Sequence, residues 1–191
     1  METLKFKIKG VVPMLMHNGQ LASPLNYYAK EIKKISGKRK KTEEDHENMA
    51  LLEARGGLYY DDDLGVYVPG ENIEATLVSA AKLQKLGTTF KRGARIIEPK
   101  CPLIYDGPQD AEKLVKNPDF THSAIVKVGM ARILRTRPKF DDWSLEFTVG
   151  YFPDQLDKDT IIRIVEDAGD LIGLNDWRPR FGLFQMMEDA A

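Results

Sequence analysis

The chain has 191 residues, 42% hydrophobic and 30% charged, and its 28 basic and 29 acidic residues leave a net charge of -1. A single domain of this size needs neither metal nor disulfide to fold. The balanced charge excludes a protein that coats nucleic acid through bulk positive charge, and leaves a local basic face open. The lone cysteine, Cys101, excludes an internal disulfide framework, and His17, His46 and His122 write no Cys/His zinc pattern. No apolar run approaches the ~18 residues of a membrane-spanning helix, and the alternating N-terminus does not read as a signal peptide. The expectation is a soluble protein of the reducing cytoplasm with no metal, cofactor or membrane partner.

Leu4, Phe6 and Ile8 alternate with Lys5, Lys7 and Lys9, the period of a half-buried strand that Gly10 and Pro13 close. A loop with a turn signal at His17-Asn18-Gly19 follows. Residues 25–36 read as a helix with Tyr28, Ile32 and Ile35 on one side, broken by the run from Ser36 to Lys41. Thr42 and Asp45 are spaced as a capping box for a second helix reaching Arg55, which Gly56-Gly57 ends. Tyr59-Tyr60, the acidic turn from Asp61 to Gly65, and Val66-Tyr67-Val68 carry a hairpin signature. Pro69-Gly70 opens a helix with Ile73, Leu77, Ala80, Ala81 and Leu83 on its buried side and Gly87 as its predicted end. Residues 88–123 are less periodic and hold a cluster of Lys91, Arg92 and Arg95, with short strand candidates around Ile96 and Leu103. Residues 124–137 read as one strand bent at Gly129. Trp143, Leu145, Phe147, Val149 and Tyr151 mark a clearer strand. Asp157 or Asp159 caps a last helix, with Gly173 as its C-cap candidate. A loop over 174–182 leads to a short strand at 183–187 and an acidic tail expected to fray.

With 13–70 and 88–123 taken as insertions in a single domain over 1–191, the element order is β-α-β-β-α-β. This predicts an α+β, ferredoxin-like (RRM-like) core with a helical and hairpin insertion after the first strand. Its first and third core strands lie side by side, antiparallel. Phe6 and Ile8 then face the helices with Leu145 and Phe147, and Lys5, Lys7 and Lys9 line the opposite face. Such a lysine row is either a solvated face, partly neutralised by Glu146, or a phosphate-contacting surface like the open sheets that bind single strands. Further basic clusters favour the second reading: Lys38, Arg39, Lys40 and Lys41; Lys91 and Arg92; Arg135 and Arg137. Each phosphate neutralised adds a salt-dependent gain through counterion release. Tyr27, Tyr28, Phe90 and Trp177 are candidates for base stacking.

The ferredoxin-like element order, the Val68-Pro69-Gly70 step before the first core helix and a basic loop between Gly173 and Gly182 resemble the RAMP superfamily. That superfamily includes backbone and guide-processing subunits of CRISPR effector complexes. Its members often start that helix with a Pro-Gly-Ser-Ser-like step. Here the stretch is Pro69-Gly70-Glu71-Asn72, without the serines or the usual basic residue. Arg178 and Arg180 keep the basic character of the C-terminal loop, with Leu183 where Arg or Lys is typical. The His-Asn-Gly and Asp-Trp-Arg-Pro-Arg-Phe-Gly patterns are also similar to uncharacterised phage-encoded proteins. The resemblance implies binding of single-stranded RNA along its sugar–phosphate chain, side-by-side self-assembly, and an insertion acting as a thumb over the strand.

Catalytic signals are sparse. Some RAMP endonucleases place a histidine in the region of His17 to deprotonate a 2′-hydroxyl, and such work needs a partner within hydrogen-bond reach. Asp61-Asp62-Asp63 matches no calcium loop, and no Walker A, GxSxG or GxGxxG motif is present. Arg178 and Arg180 flank a proline that stiffens their spacing, beside Trp177. The sequence therefore points to a non-enzymatic binder of single-stranded RNA or DNA, RNA favoured, using Lys5, Lys7, Lys9, the 38–41 cluster, Lys91, Arg92, Arg135, Arg137, Trp177, Arg178 and Arg180. Two alternatives stand beside it. One is a viral protein-interaction module, homo-oligomeric or within a nucleoprotein complex. The other is a metal-independent endoribonuclease using His17.

Overall fold

Alternation in the first ten residues produces β1 (Glu2–Gly10), which pairs antiparallel with β9 (Ser144–Tyr151) over eight residue pairs from Glu2–Tyr151 to Lys9–Ser144. The computed structural model describes residues 1–187, without the side chains of Val128 and Ala131; the acidic tail lies outside the described residues. Phe6 sits opposite Phe147 with ring centroids 5.5 Å apart, and Ile8 sits opposite Leu145. All four are buried, as the lysine alternation requires. β10 (Phe184–Met186) flanks β1 and β5 (Ala94–Ile96) flanks β9, giving a sheet of order β10-β1-β9-β5 with every neighbour antiparallel. Helices α3 (Gly70–Leu83) and α6 (Lys158–Asp167) carry the buried residues Ile73, Leu77, Ala80, Ala81 and Ile161, Ile164, Val165 into the same core. The fold is α+β with three antiparallel sheets among the described residues.

The stretch 124–137 corrects the sequence reading. It is two strands, β7 (Thr121–Val128) and β8 (Ala131–Phe140), joined at Gly129 and Met130. Gly129 has φ 59°, so the chain reverses where a bend was expected. This hairpin leaves the central sheet and pairs instead with β2 (Met14–Leu15) in the order β2-β8-β7. Ile125 and Leu134, opposite each other on the hairpin, are 70% and 49% exposed, so its far end lacks the burial a core strand needs. The place beside β9 falls to Ala94–Ile96, which the sequence assigned to the second insertion.

The stretch 13–70 folds as its caps dictate. Asn26 accepts from the Ala29 amide ahead of α1 (Tyr27–Ser36), and Thr42 and Asp45 form both bonds of the capping box ahead of α2 (Glu43–Gly57). The Asp61 carboxylate accepts from the Asp63 and Leu64 amides, closing the hairpin of β3 (Tyr60–Asp61) and β4 (Gly65–Pro69), which β6 (Lys100–Pro102) extends. Gly87 opens α4 (Gly87–Gly93), while α3 stops at Leu83. Asp157 caps α6, and Gly173, at φ 81°, ends the turn that follows. No described helix is long and apolar enough to cross a membrane.

Phe147 is at the centre of this core. Phe147→Ala is expected to lower unfolding free energy by about 3–5 kcal/mol, read from urea denaturation. A loss under ~1 kcal/mol would mean the β1–β9 face is not the packed core.

Candidate nucleic-acid interface

The loop between α6 and β10 is pinned at both ends. The Leu174 amide donates to the Gly182 carbonyl at 2.8 Å, and the Gly182 amide donates to the Pro13 carbonyl at 2.9 Å. Gly182 has φ 80°, and a Cβ there would run into the Leu174 backbone, so the crossing requires glycine. Between the pins, the Asp176 amide donates to the Leu15 carbonyl at 3.0 Å. The Asp176 carboxylate accepts from Arg137 on β8. Asn72 on α3 donates to Asn175 at 2.9 Å, and the Arg178 guanidinium donates to the Thr76 hydroxyl, also 2.9 Å. Asn175 and Trp177 are held in the left-handed region, at φ 61° and 57°. Non-glycine residues hold that region at a cost of order 1–3 kcal/mol each, where surrounding contacts over-determine it. The outcome is a Trp177 indole that stays 41% exposed.

The hairpin supplies the opposing surface. Cross-strand partners share a face, so His122, Ala124 and Val126 lie with Arg137, Arg135 and Ile133. At one end of that face the His122 ring lies 5.4 Å from Phe181 and 6.0 Å from Trp177, and Trp177 lies 5.6 Å from Phe181. Further along, Val126, Arg135 and Arg137 form one side of a groove of about 480 Å³, with Ala29, Ile32 and Lys33 of α1 opposite. His17, exposed in the loop after β2, also lines this groove. It borders a second hollow of about 190 Å³ with Tyr59, Asn72, Asn175 and Arg178. The two hollows meet at His17.

Charge in this cleft is predominantly positive. Lys33, Arg135, Arg137 and Arg178 line it, and Lys139 and Arg180 lie near His122. Glu53 answers Arg135, Asp176 answers Arg137, and Asp141 answers Lys139. Six cations against three carboxylates leave an excess among the described residues. His122 registers it: burial, then the nearby Lys139, Arg137 and Arg180, hold its imidazole below the ordinary histidine value.

The predicted site residues divide accordingly. His17, Arg135, Arg137 and Arg178 line the two joined hollows, and Trp177 and Arg180 lie at the His122 end of the hairpin face. Lys5, Lys7 and Lys9 do not join them. They occupy the sheet face away from α3 and α6, where Glu146 approaches Lys5 at 2.5 Å and Lys7 at 3.8 Å, and Asp142 approaches Lys9 at 3.5 Å. Lys5, foremost, holds the Glu146 carboxyl below its usual range. The groove that Lys5 and Lys7 border holds Glu166, Asp167 and Asp170 and shares no described residue with the His17 cleft. Lys38 is tied to Asp45 at 2.5 Å, Lys41 donates to the Lys38 carbonyl, and Arg39 and Lys40 stay exposed in the same loop. Lys91 and Arg92 end α4, where Lys91 borders a separate notch with Lys82 and Lys85. Phe90 is fully buried, which removes it as a stacking residue. Tyr27 and Tyr28 pack edge-on at 5.3 Å beside a different groove with Leu51 and Arg55. No described residue hydrogen-bonds the His17 imidazole; Tyr59 donates to the His17 carbonyl instead. Lys33 of α1 and Lys139 of β8, members of the basic clusters in the sequence, also come to this region, and so does His122, which only strand pairing places there.

Among the described residues no three His, Cys, Asp or Glu side chains converge to hold a metal. Comparison with family models and with curated proteins finds no match.

One carboxylate organises the hairpin wall. Glu53 is 6% exposed, binds Arg135 and accepts from the Thr136 amide at 2.9 Å. Glu53→Ala leaves the buried Thr136 amide without an acceptor, so it is expected to destabilise by about 1–3 kcal/mol. Glu146→Ala, on the exposed face, is expected to leave the urea midpoint almost unmoved. Equal effects of the two changes would contradict this difference in burial.

Proposed function

We propose that the chain is a non-enzymatic binder of single-stranded nucleic acid, RNA in preference to DNA, held in the cleft between α1, the β7–β8 hairpin and the 173–182 loop. The observation that carries this reading is that Arg135, Arg137 and Arg178, from segments distant in sequence, line two hollows that meet at His17, with the exposed Trp177 and Arg180 beside His122 on the same hairpin face. Cations track phosphates while an aromatic ring stacks a base, the usual division of labour for single strands. A ferredoxin-like core is supported by the strand order β10-β1-β9-β5, with α3 leading towards β5 and α6 towards β10. That core is what the RAMP resemblance implies, and the resemblance is the ground for preferring RNA. A protein-interaction module is the second reading. Its observation is the hairpin tip, where Met130 is 97% and Ile125 70% exposed.

Fluorescence polarisation with labelled oligoribonucleotide and oligodeoxyribonucleotide of one sequence tests the proposal. Affinity is expected to fall linearly in log–log form with salt. Arg180→Ala is expected to reduce that slope by about one contact. Trp177→Ala is expected to weaken binding by about 1–3 kcal/mol. The triple change of Lys5, Lys7 and Lys9 to Ala should leave affinity within about twofold, as suits cations already answered by carboxylates. Absence of binding at low salt sinks the proposal, and loss of binding in the triple variant alone moves the site to the sheet face.

A further inference from the structure

His122 occupies an unusual position for a histidine. Its own strand partner is Arg137, Lys139 follows two residues later on β8, and Arg180 approaches from the loop. Phe181 and Trp177 close the imidazole off on the loop side. The carboxylates nearby are already engaged, Asp176 with Arg137 and Asp141 with Lys139. Burial first, and then three cations that two carboxylates only partly offset, make the imidazole resist protonation. An anion seated in the cluster reverses the sign of that field.

We propose that His122, Arg137, Lys139 and Arg180 form a proton-linked anion site, in which a phosphodiester group binds together with a proton taken from solvent by His122. The inference deepens the groove reading and rests on it for the identity of the ligand as nucleic acid. The bound state then holds imidazolium, with Nδ1 and Nε2 both able to donate. The free state binds that proton less readily than an ordinary histidine does. Linkage fixes the direction. If the anion raises the pKa of His122, the complex tightens as pH falls through the interval between the free and bound values, by about tenfold for each unit of rise. Stability of the free protein moves the other way. The unfolded chain binds the proton more readily than the fold does, so His122 costs stability as pH falls below the ordinary value of 6.5.

The test follows the Cε1–H resonances of the three histidines by NMR from pH 8 to pH 5 in the full chain. Samples contain sodium chloride, sodium sulfate at equal ionic strength, or a saturating oligoribonucleotide in sodium chloride. Sulfate keeps its charge across the range, and matched ionic strength removes simple screening. The expected result is a His122 midpoint raised by the oligoribonucleotide and, to a lesser degree, by sulfate. Polarisation titrations should show tighter binding at pH 5.5 than at pH 8 in the wild type, and a flatter profile in His122→Gln. A His122 midpoint moved by neither anion overturns the inference, as does an unchanged pH profile in His122→Gln. If the oligoribonucleotide binds with steep salt dependence while the His122 midpoint stays fixed, the proton linkage fails and the groove reading stands. If sulfate raises the midpoint while no oligonucleotide binds, the anion site stands and the nucleic-acid reading fails.

Discussion

The candidate site depends on one backbone crossing, the return of the 173–182 loop over the end of β1. Two glycines make it possible. Gly173 ends the turn after α6, and Gly182 passes so close to Leu174 that no side chain fits. The hydrogen bonds Leu174 to Gly182, Gly182 to Pro13 and Asp176 to Leu15 convert a flexible connection into a strap. Once the strap is set, Asp176 meets Arg137, Arg178 meets Thr76, and Trp177 is turned outward beside His122. Remove the crossing and three separate basic stretches have no common surface.

The near-neutral net charge is then a matter of placement. Where cations stand opposite carboxylates on a regular sheet face, as Lys5 and Lys7 do with Glu146, the field cancels within one side-chain length. Exposed pairs of that sort contribute little to stability and little to steering. In the cleft, cations outnumber carboxylates, so the field does not cancel there. Glu53 and Asp176 therefore have a structural role: they fix Arg135 and Arg137 in place without removing the excess.

Periodicity made much of this legible. The alternation of β1 and β9 fixes both the buried face and the register, because a one-residue slip would bury lysines. Local capping chemistry marked α2 at Thr42 and α6 at Asp157 or Asp159, of which Asp157 is the cap, whereas the Asn26 cap of α1 went unread. Two features were legible only in part, for physical reasons. β5 was a strand candidate around Ile96, but three residues are too few to show that it pairs with β9 in the central sheet. The β7–β8 turn has a single glycine and no Asn-Gly signal, so a hairpin and a bent strand look alike. That ambiguity hid the cleft, since His122 reaches Arg137 only through pairing across the turn. Trp177, Arg178 and Arg180 stood out in the sequence for their residue types, whereas their partners emerged from topology.

Amide chemical-shift mapping of the isotope-labelled chain with a short oligoribonucleotide tests the location of the site most directly. The account predicts perturbations clustered at 121–126, 133–139 and 173–182, with the amides of β1 and β9 unaffected. Perturbations confined to Lys5–Lys9 and Ser144–Thr148, with the cleft silent, would contradict it.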